Sequence, residues 1–410
     1  MRSKLGRFHR PMSRGAMGDM LTMNSLGDGS TLSLDFTTGV LDSRLTFTRS
    51  TTATYINSSG YVTSAAINAP RFDYSPTNIG EQRGLLLEAP ATNLARWSEN
   101  CGNTANGWWS LTGAGSTLNS QTKTSPANTS TASEISFGTS TNSNTYVYVG
   151  TSAITYTGSI YVRLVSGNPA INIRVYNSTT GIATFTPITV TSTWARYSVS
   201  FTGGASFVEF GVQSPHATTV VVDVWGAQVE AGAASSYIPT GASQVMRAVD
   251  TAIIAAGTNF SSWYTGNTSG TFVANWYGSA SSTTARSVMA TSDQTTKHLH
   301  MYQTPSALTL RLADFGAAAT VTTGNNLTAN ALTKGAFSYA STATSLCLNG
   351  GTVATGTLAF TVAPTWLSIG GPSTNGTSIT DTTVMLNNSI RTLKYFPARL
   401  SDAQIKEITT

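Results

Sequence analysis

An all-β fold, with two antiparallel β-sandwich (jelly-roll) modules in tandem, is what this sequence predicts, on three observations. Of its 410 residues only 10% are charged while 40% are hydrophobic. Ser, Thr, Gly, Asn and Ala fill most of the remainder, a mixture that suits pleated strands joined by tight turns. Apolar and polar residues alternate at period two over many short runs, with turn residues roughly every 8–12 positions, as in sandwich folds. The Glu, Lys and Leu runs that favour long helices are almost absent. Aromatic residues recur along the whole chain, which excludes a disordered Ser/Thr-rich polymer.

Taken in order, residues 1–31 read as an extended basic arm. Arg2, Lys4, Arg7, Arg10 and Arg14 precede the first acidic residue, Asp19, and five of the nine methionines (Met1, Met12, Met17, Met20 and Met23) lie in it. The arm lacks any periodicity and has too few apolar residues to fold unaided, so it is expected to take its order from a partner. Flexible methionines fill irregular grooves and arginines meet acidic surfaces, which makes these basic residues an expected anchor to a larger assembly. Residues 32–96 read as a connector. Strand-like pieces at 45–49 and 54–56 precede the turn Asn57-Ser58-Ser59-Gly60, and 61–63 returns as a β-hairpin. Pro70, Pro76 and Pro90 break longer elements.

Residues 97–245 form the first expected sandwich. Ile160, Val162 and Leu164 alternate with Tyr161 and Arg163, and Ile171, Ile173 and Val175 with Asn172, Arg174 and Tyr176. Val208, Phe210 and Val212, then Val220, Val222 and Val224, repeat the pattern. The second sandwich is expected over 246–410, with strands at 271–277, 286–290, 299–302, 308–312, 336–340, 346–348, 367–369 and 389–395. One helix is expected after Leu400, with Ser401 as N-cap and Asp402 in its first turn.

Charge narrows the function classes. The formal net charge is +5, but without the arm the chain is close to neutral, unlike a domain with a basic stripe for nucleic acid. No apolar run approaches the roughly 20 residues of a membrane-spanning helix, and the N-terminus lacks the apolar segment of a secretory signal. Membrane insertion is therefore not expected. Cys101 and Cys347 fall in different modules and read as free thiols.

Three stretches resemble known families. LTFTRSTTATYINSSGYVTSAAINAPRFDY with RGLLLEAPATNLARWSEN resembles a signature of bacteriophage structural proteins, where it precedes carbohydrate-binding-like domains of tail and head fibres. VVDVWGAQVEAG with SYIPT resembles the closing strand of carbohydrate-binding-module jelly rolls in such proteins. SLCLNGG, WLSIGG and IRTLKYFPARLSDAQIKEI resemble the C-terminal half of concanavalin-A-like (laminin-G-type) lectin domains. The resemblance implies a virion structural protein, a tail fibre or head fibre or decoration assembled in the host cytoplasm. Its arm would hold other virion proteins of capsid, tail or baseplate, it would form a homotrimer, and its lectin-like modules would touch host surface polysaccharide. The competing expectation is a purely architectural capsid cement or baseplate protein that binds no sugar.

Candidate sites follow from side-chain chemistry. Sugars stack their apolar faces on exposed aromatic rings and bond amides and charged groups through their hydroxyls. Trp108 and Trp109 with Tyr146 and Tyr148 are candidates, as are Tyr161, Arg163, Arg174 and Tyr176 on non-core strand positions, and Trp276 and Tyr277, of which alternation sends one outward. Trp263 and Tyr264 invite the same reading, while Trp225 and Trp366 read as core. No catalytic residues are assigned: glycosidases need two aligned carboxylates, and Glu81 and Glu88 lie outside either expected sandwich, as structural salt links. His298 and His300 share a strand face, but an exposed pair explains them without a metal. Asp223, Asp314 and Asp381 are too scattered for calcium, so neither metal nor cofactor is expected.

Overall fold

The structure, a computed structural model, describes residues 28–103, 109–265, 269–279, 285–292, 298–304, 310–314, 320–322, 327–341, 343–357 and 364–410. The arm residues Arg2, Lys4, Arg7, Arg10 and Arg14 lie outside this set, as does Trp108.

The fold is all-β, with antiparallel sheets throughout. In the first sandwich one five-stranded sheet runs Ala195–Thr202, Thr155–Ser166, Val220–Ala231, Ala132–Phe137, Thr117–Lys123. The facing sheet runs Ile182–Thr189, Ala170–Asn177, Phe207–Ser214, Ser143–Gly150, Trp109–Thr112. The alternation read from the sequence sets the core between them. Ile160, Val162, Ile171, Ile173, Val208, Phe210, Val212, Val222 and Val224 are all at most 1% exposed. Gly158 is needed there, because a Cβ would stand 2.4 Å from the Phe210 ring.

The second sandwich departs from the tandem plan. Its larger sheet runs Ala354–Gly356, Ala343–Leu348, Leu332–Ala340, Gly270–Tyr277, Asn388–Phe396, Gln82–Leu87, Phe72–Tyr74, and Leu32–Asp35 also pairs with Asn388–Phe396. The smaller runs Thr46–Thr48, Thr251–Ile254, Trp366–Ile369, Arg286–Ser292, His298–Gln303, Leu310–Asp314, Thr320–Thr322. Segments expected as a connector thus supply strands to both sheets, and the first sandwich follows them in sequence, ahead of the remaining strands of the second. The physical reason is burial: Leu32, Leu34, Leu85 and Leu87 sit in one core with Phe272, Trp276, Phe337 and Tyr395. The predicted helix forms over Asp402–Ile408 with a capping box between Ser401 and Gln404, and Ile405 seats it on the outer face of the larger sheet.

Part of the connector does fold as the expected hairpin, Ala53–Ile56 against Val62–Ala65, with Gly60 at φ 81° in the turn. It covers the outer face of the first sandwich, where Val62 packs with Trp225 and Tyr237. Below it lies a buried charge hub. Arg49 Nη1 is 3.1 Å from Asp250 Oδ1, and Arg71 bridges Glu88 Oε2 at 2.7 Å and the other oxygen of Asp250. Arg247 approaches Glu88 at 3.4 Å. The same Arg71 donates to the Thr54 carbonyl and to Ser236 Oγ, and Glu88 accepts from the Ser236 backbone and hydroxyl. One ionic cluster therefore ties hairpin, first sandwich and second sandwich together. Burial pushes the Glu88 carboxyl up, but Arg247, Arg71 and Ser236 outweigh it and hold the group at about 2. Glu88 is thus the structural salt link the sequence suggested, and Glu81 accepts from the Tyr277 phenol.

Candidate functional site

Strand parity that buries Val208, Phe210 and Val212 turns Phe207, Glu209, Gly211 and Gln213 to the other face of the same strand. Registers on either side align them with the neighbours. Tyr146, Gly211 and Arg174 form one row across three strands, and Tyr148, Glu209 and Tyr176 the next. Asn144, Gln213 and Asn172 make a third row.

Gly211 shapes the centre. A Cβ there would stand 1.9 Å from the Thr145 carbonyl oxygen, and without a side chain on the middle strand the Arg174 guanidinium reaches across to lie 4.6 Å from the Tyr146 ring centroid. Arg174 Nη2 is 2.6 Å from Glu209 Oε2, with both side chains about nine-tenths buried (12% and 11% exposed). Arg174 also lies 5.7 Å from the Tyr176 ring. Aromatic edges frame the pair: Tyr146 and Tyr148 meet edge-to-face at 5.4 Å, and Phe207 lies 5.6 Å from Tyr148 and 6.4 Å from Tyr176. A hydrogen bond with Tyr146, then burial and nearby Glu209, pushes the Tyr148 phenol up to about 12. It stays protonated, able to donate and to accept.

Two buried polar atoms on this face take no hydrogen-bond partner, Arg174 Nη1 and Asn144 Oδ1. One is a donor and the other an acceptor, and both are closed off from solvent. Leaving such an atom unpaired costs about 1–3 kcal/mol.

The other predicted residues lie elsewhere. Tyr161 and Arg163 belong to the opposite sheet, so they do not share a face with Arg174 and Tyr176. Tyr161 is packed 5.5 Å from Trp225 beneath the hairpin, and Arg163 is paired with Asp223 at 2.7 Å beside Trp194. Trp109 is 2% exposed and donates from Nε1 to the Arg96 and Trp97 carbonyls, capping the first core. Trp276 is wholly buried, and Tyr277, although turned the other way, is covered by Arg83 at 4.1 Å. Neither can receive a sugar. Trp263 and Tyr264 are core as well, whereas Trp225 and Trp366, read as core, are buried on the outer faces of their sheets, under the hairpin and under the loop after Ile369. His300 is buried rather than solvent-facing. Among the described residues no group of His, Cys, Asp and Glu could hold a metal ion, and no described helix is long and apolar enough to cross a membrane. Sequence reasoning missed Phe207, Glu209, Gly211 and Asn144. The signal was present, since fixing Val208, Phe210 and Val212 as core fixes their neighbours as outward.

No family model matches the chain, and no curated protein does. Solved structures are similar over parts of it. The CBM40 domain of Ruminococcus gnavus IT-sialidase, bound to α2,3-sialyllactose, aligns over 35% of this chain and 82% of its own at 18% identity, with a TM-score of 0.30. The CBM22-1 xylan-binding domain from Paenibacillus barcinonensis aligns over 36% of this chain and 99% of its own at 15% identity, with a TM-score of 0.27. Trypanosoma rangeli sialidase is similar over 38% of this chain and 25% of its own at 15% identity, with a TM-score of 0.31.

Proposed function

We propose that this protein binds glycans through the Tyr146–Arg174–Glu209 face of its first sandwich, without acting chemically on them. The observation that carries the reading is the Arg174–Glu209 pair set within a frame of aromatic rings, Tyr146, Tyr148, Tyr176 and Phe207, on one sheet face. A pyranose presents an apolar face to such rings and hydroxyls to the polar groups beside them. The one carboxylate on this face, Glu209, is held by Arg174, and hydrolysis of a glycosidic bond calls for two. The full chain on an array of bacterial surface polysaccharides should retain at least one of them, and Arg174→Ala should retain none. Failure of the wild-type chain to bind any would overturn the reading.

The finer proposal is that this binding serves a bacteriophage particle, as a fibre or decoration holding other virion proteins through residues 1–31. Its support is the resemblance of the segment from Leu45 to Asn100 to phage structural proteins and the clustering of basic residues in the arm. Several copies on one particle, as in a homotrimer, would raise weak sugar affinity by avidity. Deleting residues 2–23 should leave a folded protein that fails to join the particle. Normal incorporation of the shortened chain would count against the anchor.

A further inference from the structure

The second sandwich carries a pocket of its own, on the side of its smaller sheet away from the core. Along His298–Gln303, Leu299 and Met301 enter the core, so His300 and Tyr302 turn to the opposite side, their rings 4.9 Å apart. Trp366 turns the same way, and the loop after Ile369 folds back over it. Gly376 lies so close that a Cβ would stand 2.9 Å from the indole, and Trp366 Nε1 donates to the Ser373 carbonyl at 3.0 Å. Arg286 Nη1 ties the end of the loop down through the Thr383 and Met385 carbonyls, at 3.2 and 3.3 Å. Thr374 and Thr380 are joined through their hydroxyls at 3.3 Å, and the Thr380 amide donates to the Pro372 carbonyl at 3.0 Å. A loop so fixed leaves a space of about 350 Å³ between itself and the sheet.

The walls are apolar at Ala285, Pro372 and Val384, with Tyr302 and His300 behind and the exposed Thr374, Thr380 and Asp381 at the mouth. Asp381 spends Oδ1 on the Thr383 amide and hydroxyl, and among the described contacts Oδ2 takes no hydrogen bond. Among the described residues no Lys or Arg lines the pocket, so the Asp381 carboxylate at its mouth disfavours an anion there. A ligand with an apolar body and several hydroxyl donors matches both features. The volume sits near the lower end of the roughly 300–1,000 Å³ range of ligand pockets, which suits one ring rather than a chain.

We propose that this pocket binds a single neutral sugar ring, the exposed terminus or branch of a glycan, independently of the face on the first sandwich. The test is saturation-transfer NMR on the full chain with methyl glycosides of glucose, galactose, mannose and N-acetylglucosamine at millimolar concentration. At least one should receive saturation. Ala285→Trp, which fills the pocket, should abolish that signal, and Asp381→Ala should weaken it about tenfold by removing a charged acceptor. All these measurements are made on the Arg174→Ala chain, in which the first-sandwich face no longer binds, so that the signal reports this site alone. Val384→Phe fills the space from the loop side and replaces Ala285→Trp should the latter lose its native circular dichroism. Absence of transfer to every glycoside, or an undiminished signal in a folded pocket-filling variant, would overturn the proposal.

Discussion

Arg174 and Glu209 form a 2.6 Å ion pair in the middle of a sheet face, each side chain about nine-tenths buried. The pair positions the guanidinium over Tyr146 while leaving Nη1 without a partner. Glu209→Gln keeps the shape and removes the charge that orients Arg174. It should weaken glycan binding about tenfold and also lower the melting temperature, because Arg174 then keeps an unpaired, largely buried charge, measured by titration calorimetry and thermal circular dichroism. Affinity equal to wild type would show that the pair is only structural.

Gly211 should tolerate no side chain. Gly211→Ala places a methyl group against the Thr145 carbonyl, and overpacking of this kind costs about 1–3 kcal/mol. Urea unfolding should show that loss together with weakened glycan binding, because the strand carrying Tyr146 must move. Full stability in the variant would contradict the register described here.

Glu88 makes stability depend on acid. Its folded pKa of about 2 lies below the ordinary value of 4.5, so its stabilisation is fully present above 4.5 and is lost as pH falls from there towards 2. Glu88→Gln should remove that part of the acid sensitivity. At neutral pH it should cost about 3–5 kcal/mol, since Arg71 and Arg247 then keep an uncompensated buried charge. Unfolding free energies of both proteins across the pH range check this. Parallel curves would exclude the assignment.

Cys101 and Cys347 are both buried and unbridged, and burial, opposed by Ser133, pushes the Cys101 thiol up to about 12. Neither should react with a disulfide reagent at pH 8 until the protein is unfolded, because the thiolate is the nucleophile. Rapid labelling of either in the native protein would contradict the packing.

How much of this was legible in the sequence depended on distance along the chain. Period-two alternation placed Val208, Phe210 and Val212 in the core, and local capping chemistry placed the helix after Ser401. Alternation also rightly turned Trp276 and Tyr277 to opposite faces. It could not show that Arg83, far away in sequence, covers the outward ring. The same limit hid the true partners of Leu32, Leu34, Leu85 and Leu87. Their alternating or continuous apolar pattern reads as strand, but pairing with Asn388–Phe396 is non-local. For the binding face, Tyr146, Arg174 and Tyr176 were visible as outward aromatic and basic residues. Their union depended on the strand between them, whose Gly211 says nothing in sequence of the guanidinium that crosses it.

Trp276→Phe marks the boundary between core and site. It should lower stability through the space it leaves, as large-to-small core changes do, and leave glycan affinity unchanged, because Trp276 is wholly buried in the second sandwich.

Calorimetric titration of the best polysaccharide from the array into wild-type chain and Arg174→Ala, both verified as folded, bears most directly on the central claim. The account predicts saturable binding by the wild type and no measurable heat of binding from the variant. Equal affinity in the two proteins would contradict it.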